Sequence, residues 1–123
     1  MTVRTNDSLE TQVLNKRYGV LVELKGSLCA STYNVFQELV PDLIQKETLH
    51  LALDLSELIK IDAKGVYALT ELLTLLDQKG VELYAFGMNE DVYDILSFVD
   101  MEGEIHLLHD KMAFLNFMNT SHS

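Results

Sequence analysis

The stretch LALDLSELIKIDAKGVYAL, Leu51 to Leu69, decides the fold of this chain. It reads as a buried strand, a turn carrying Asp62-Ala63-Lys64-Gly65, and the start of a helix. HLALDLS (50–56) is a nearly continuous apolar run with an acidic end, which suits a central strand buried on both faces. Behind the turn, Val66, Leu69, Leu73 and Leu76 recur at helical spacing and predict a helix over 64–79. Lys79-Gly80 supplies its basic last turn and its stop. A strand feeding a helix through a short turn is where many α/β proteins place their chemistry. This turn carries no hydroxyl, no thiol and no glycine-rich phosphate cradle.

The pattern extends in both directions. RYGVLVELKG (17–26) alternates with period two: Val20, Val22 and Leu24 against Leu21, Glu23 and Lys25. LETQVLNK, from Leu9, adds a short edge strand. STYNVFQELVPDLIQKE (31–47) offers Ser31 or Thr32 as an N-cap, followed by Val35, Phe36, Leu39, Val40 and Leu43 at helical spacing. Pro41 inside that run predicts a kink or a break. Downstream, VELYAFG (81–87) reads as a strand and Asn89 caps EDVYDILSFVD. EIHLLH (104–109) is a last short strand, and Asp110 caps KMAFLNFM. The predicted order is β-β-α-β-α-β-α-β-α, which implies α/β layering.

A chain of 123 residues fits one domain. Its 48% hydrophobic content and single Pro argue for a packed globule rather than disorder. Residues 1–8 and 119–123 read as disordered ends around a domain spanning 9–118. The net charge of −10 and nine scattered basic residues exclude a nucleic-acid binder, because replacing counterions on a phosphate backbone requires clustered Lys and Arg. From Glu82 to Asp110 there are eight acidic residues and no Lys or Arg. That run is either a solvated face or a surface that steers a basic partner. The single Cys29 excludes an intramolecular disulfide and fits a reducing compartment. No apolar run reaches the roughly 18 residues of a membrane span, and no signal-peptide core opens the chain. The expectation is a cytoplasmic protein without direct membrane insertion.

No constellation for catalysis emerges. His106 and His109 fall on opposite faces of a strand, and with His50 and His122 they complete no metal shell. Cys29 has no neighbour that marks it as an activated nucleophile. Asp54 and Asp62 are separated by a segment that reads as a connecting loop, and Asp62 sits where an N-cap belongs. No GxSxG, P-loop or dinucleotide fingerprint is present. The expectation is a non-enzyme without cofactor or metal.

In this order and spacing the pattern resembles the STAS domain family of anti-sigma-factor antagonists and their relatives, from Tyr18 to Phe117. VELKGSLCASTYN is similar to the family's loop opening helix one. LALDLSELIKIDAKGVYAL is similar to its strand, D-L-S, then D-S-S-G and leucine-rich helix. LDQKGVELYAFGMNEDVYDIL and FVDMEGEIHLLHD are similar to its later strand-helix and helix-strand units. The resemblance implies a single α/β domain with a central, four- to five-stranded mixed sheet and about four helices mainly on one side. It implies a module that docks on a protein partner such as an anti-sigma factor of serine-kinase-like ATPase fold. Phosphorylation of the Ser after the Asp in D-S-S-G releases that partner in the family.

This chain departs from the pattern at the switch. Ala63 stands at the phosphorylated Ser, Lys64 at the next Ser, and Cys29 where the first loop usually carries Asp. Ala has no oxygen to accept a phosphoryl group. Thr70 is a candidate secondary phosphosite, with a helix-surface Thr as the plainer reading. Gly65 costs roughly 1 kcal/mol relative to Ala inside a helix, so its presence points to close approach by another backbone or by a partner. Tyr67 is a candidate interface anchor. The expected contact surface comprises Asp62, Ala63, Lys64, Gly65, Val66 and Tyr67, with Ser27, Cys29 and Thr32 from the first loop and Met88 and Asn89 beyond. The alternatives are a STAS subunit docking on a transporter ATPase in lipid transport, or a sensor or scaffold of a multi-STAS complex. In the last case a helix face bearing Leu72 and Leu75 supports a homodimer.

Overall fold

A computed structural model describes residues 7–15, 19–44, 48–99, 103–108 and 110–120. Five strands, β1 (Leu9–Asn15), β2 (Gly19–Leu28), β3 (His50–Ile61), β4 (Glu82–Phe86) and β5 (Ile105–Leu107), form one sheet in sequence order. β1 pairs antiparallel with β2, and the other three pairings are parallel. The helices α1 (Tyr33–Leu43), α2 (Ala63–Lys79) and α3 (Glu90–Val99) connect the parallel strands, and α4 (Lys111–Thr120) follows β5. The element order is the predicted one.

The strand order places the helices. Each parallel connection steps to the next strand in the same direction, and right-handed crossovers then put all three helices on one face. The main core confirms it: Val20, Val22, Leu24, Leu51, Leu53 and Leu55 pack with Phe36, Leu43, Leu69, Leu72, Leu76, Val92 and Leu96. The opposite face gathers Leu21, Ala52, Tyr84 and Phe86 beneath Phe114 of α4. The central strands are therefore buried on both sides, which is why β3 begins as an unbroken apolar run. On the α4 face Tyr84 stacks on His106 at 4.7 Å and meets His50 edge-on at 5.6 Å. His109 and His122 lie outside the described residues. Of the expected loose N-terminal segment only Asp7 and Ser8 are described, and the Ser8 carbonyl accepts from the Ser27 N–H at 2.9 Å.

Four local expectations change. β3 continues from Ser56 to Ile61 where a connecting loop was predicted between Asp54 and Asp62. Its register against β2 shifts twice, so that Glu23 faces Asp54, Lys25 faces Glu57, Gly26 faces Leu58 and Ser27 faces Lys60. Two extra residues on β3 break the period-two signal. Second, α1 runs through Pro41 and ends at Leu43, two residues past the position where a kink or a break is expected. The ring removes one N–H from the ladder, and the helix continues only two residues beyond it. Third, Thr32 occupies the N-cap position of α1, but its hydroxyl makes no cap bond. Fourth, the core stripe of α2 is rotated. Ala68, Leu69, Leu72 and Leu76 are buried, whereas Val66 and Leu73 are half-buried. Leu72, expected on a self-association face, is 1% exposed and belongs to the core. α2 ends as predicted: Gly80 adopts φ 72° and its N–H reaches the Leu76 and Asp77 carbonyls.

Candidate functional site

The ends of β2 and β3 are paired at Leu28 and Ile61, so the turns into α1 and α2 lie side by side. The Asp62 N–H donates to the Leu28 carbonyl at 3.2 Å. One carboxylate oxygen, Oδ1, accepts from the Gly65 N–H at 3.0 Å and caps α2. The other, Oδ2, accepts from the Ala30 N–H at 3.2 Å. One side chain thus ties the first loop to the second turn. The Gly65 N–H is the main reason the Asp62 carboxyl titrates below its ordinary range; burial opposes it, and the Ala30 N–H adds to it.

Gly65 is the contact point between the two turns. A Cβ there would lie 2.2 Å from the Leu28 carbonyl oxygen and 2.8 Å from Ile61 Cγ2. The close approach inferred from sequence is therefore made by the chain's own backbone. Gly65 is buried and presents nothing to a partner.

The first loop is held from within. Thr32 Oγ1 donates to the Ser27 carbonyl at 2.8 Å and accepts from the Cys29 N–H at 3.0 Å. Cys29 Sγ lies 3.3 Å from Ser31 Oγ. Ser27, Cys29 and Thr32 are all buried. Proposed from sequence as contact residues, they instead shape the loop, and Ala30 and Ser31 are the ones that face outward. The Cys29 side chain is turned inward, where a small thiol fits and a carboxylate would lose its water.

Asp62, Ala63, Lys64 and Tyr67 are exposed, and Val66 is half-buried. Lys64 Nζ sits 4.2 Å from the Tyr33 ring centroid and 4.8 Å from that of Tyr67. The ammonium is attracted to both ring faces. The Tyr33 hydroxyl donates to Glu71 Oε1, which also accepts from Gln37 Nε2 at 3.0 Å. Tyr33, absent from the sequence-derived surface, is thus central to it. Its helical spacing gave no signal, because only the packing of α1 on α2 brings it to Lys64. The Glu71 hydrogen bond pushes the Tyr33 hydroxyl up to about 12 and holds the Glu71 carboxyl below its ordinary value. The neutral tyrosine is the form the fold favours. That contribution is present below the ordinary value of about 10 and is lost as pH rises through the raised one. Ultraviolet titration of Glu71→Gln is expected to bring the Tyr33 transition back toward the ordinary tyrosine range; an unchanged transition would refute the pairing.

Beyond the turn, Met88 packs partly on the core. Asn89 Oδ1 accepts from the Val92 N–H at 2.8 Å and caps α3, as predicted. Asn89 Nδ2 donates to the Leu58 and Ile59 carbonyls at 3.3 Å each. Thr70 is exposed, and its hydroxyl donates to the Val66 carbonyl at 2.9 Å. Among the described residues no group of three or more His, Cys, Asp and Glu could hold a metal, and no helix is long and apolar enough to cross a membrane.

The STAS domain family model matches residues 9–115. The chain belongs to the STAS domain family. Among solved structures it is similar to an anti-sigma factor antagonist from Mycobacterium paratuberculosis, with TM-score 0.78 and 14% identity over 95% of this chain and 99% of that one. It is similar to the anti-sigma factor antagonist SpoIIAA in its unphosphorylated form, with TM-score 0.70 and 10% identity over 92% and 99%. It is also similar to part of the murine Slc26a9 anion transporter, with TM-score 0.72 and 18% identity over 86% of this chain and 18% of the transporter. At these identities the likeness is one of fold. A search of curated protein sequences finds no match.

Proposed function

We propose that this chain is a non-enzymatic docking module that binds an anti-sigma factor of serine-kinase-like ATPase type, in signalling or transcription control, without the usual serine phospho-switch. The observation that carries the reading is the bridge made by Asp62. Its carboxylate holds Ala30 of one loop and Gly65 of the other turn. The exposed residues Ala30, Ser31, Ala63, Lys64 and Tyr67 then form one preorganised face. Ala63, the first residue of α2, has only a methyl group where a phosphoryl acceptor would stand. A partner seated over that methyl cannot be displaced by phosphorylation at this position. Tyr67, half-exposed and buttressed by Lys64 and Tyr33, is the anchor. Protein partners of the similar anti-sigma factor antagonists support the reading by analogy of fold.

The test uses a purified candidate anti-sigma ATPase and calorimetric titration. Ala63→Glu places a charge at a helix N-terminus, which the helix tolerates and a packed partner does not. It is expected to weaken binding at least tenfold, about 1.4 kcal/mol, with unchanged thermal stability. Tyr67→Ala is expected to do the same. With ATP present, the peptide containing Asp62–Gly65 should carry no phosphate. Phosphate on that peptide, or full affinity in both variants, would sink the proposal.

A further inference from the structure

A second surface lies between the far end of β3 and α3. The register shift between Gly26 and Ser27 leaves Ile59 opposite no residue of β2, and its side chain is 70% exposed. An aliphatic side chain pushed into water by a bulge is a local cost that the fold itself does not explain. Ile59, Ile61, Val92 and Ile95 line a groove of about 450 Å³, with Asp91 and Asp94 on the α3 rim. Phe98, one turn beyond Ile95 on the same helix, is 78% exposed and extends the apolar stripe.

The charge of the rim selects the occupant. Asp91 and Asp94 lie in the run from Glu82 to Asp110 that contains no Lys or Arg. Among the described residues neither takes part in an ion pair, whereas Lys60 on the opposite rim is paired with Asp7 at 3.4 Å. A second copy of this chain would set carboxylates against carboxylates, and an anionic lipid or nucleic-acid surface would be repelled as well. A basic polypeptide is attracted.

The backbone selects its conformation. β3 runs past its last pairing with β4, Asp54 to Phe86, so among the described residues no strand covers its edge beyond Asp54 on that side. An added strand would need the carbonyls of that edge. Asn89 Nδ2 already occupies those of Leu58 and Ile59. What remains available is side-chain surface, which suits an amphipathic helix lying along α3.

We infer that the groove between β3 and α3 binds a basic amphipathic helix, whose aliphatic face covers Ile59, Ile95 and Phe98 and whose Lys or Arg side chains meet Asp91 and Asp94. This holds whichever protein docks on the Asp62 turn, and its test does not use that turn.

The probe is a fluorescein-labelled 16-residue peptide with a Leu stripe and Lys at the flanking helical positions; its control has Glu in place of Lys. Fluorescence anisotropy with the full chain is expected to show saturable binding of the Lys peptide and none of the Glu peptide. The double variant Asp91→Asn, Asp94→Asn is expected to weaken binding at least tenfold, and Ile59→Ser at least fivefold. The exposed pair Glu38→Gln, Asp77→Asn removes the same charge elsewhere and should change affinity less than twofold. Amide shifts on titration should centre on 57–61 and 90–98. Equal losses in the two double variants, shifts centred elsewhere, or no saturable binding would overturn the inference. So would a concentration-dependent dimer abolished by Ile59→Ser.

Discussion

Gly65→Ala is expected to destabilise the protein by about 3 kcal/mol, at the upper end of overpacking costs. Its sign makes it informative. In an ordinary helix the same change stabilises by about 1 kcal/mol, because alanine is the better helix former. Here the added methyl would stand 2.2 Å from the Leu28 carbonyl oxygen and 2.9 Å from its carbon. Both atoms are backbone and cannot turn aside like the end of a side chain. Relief requires α2 to move away from β2, and that movement breaks the bond from the Asp62 N–H to the Leu28 carbonyl and the bond from the Ala30 N–H to the Asp62 carboxylate. Urea unfolding followed by circular dichroism gives the number. A neutral or stabilising result would show that the two turns are not in contact.

Asp62→Ala should cost about 1–2 kcal/mol, as the loss of a good N-cap does, and should also release the first loop. The Gly65 and Ala30 N–H groups lose their acceptor together. Amide exchange at Ala30 and Gly65 is expected to accelerate far more than in the centre of β3. Because Gly65 above all holds the Asp62 carboxyl below its ordinary range, the wild type carries a pH signature. The stabilisation is complete above the unfolded value of about 3.9 and disappears as pH falls through the lower folded-state value. Asp62→Asn should remove this part of the pH dependence of the urea midpoint from about pH 5 down through the lowered folded-state value. A wild-type slope retained in full by the variant would assign it to other carboxylates.

How much of the site was legible depended on the range of the forces involved. Asp62, Asn89 and Asp110 were readable as caps because a cap is a contact over three residues, and all three make it. Gly65 was readable as a close approach, although the approaching atom was not. Ser27, Cys29 and Thr32, expected as contact residues, are buried. The loop is short and polar in composition, and only its fold around the Thr32 hydroxyl turns it inward. Tyr33 was missed because its partners Lys64 and Glu71 are far along the chain.

By itself the sequence determined the element order, the burial of β3 between two layers, the helix boundaries around Gly80 and the absence of a hydroxyl at Ala63. These follow from periodicities of two and 3.6, from capping chemistry and from residue identity, all local properties. Only the tertiary structure decided where β3 ends, which face of α2 is buried, what fills the space beside Gly65, and that Ile59 stands in water beside an acidic helix. Each depends on the register of a neighbouring strand or the packing of a second helix. Such contacts between residues distant in the chain exist only once the sheet has closed.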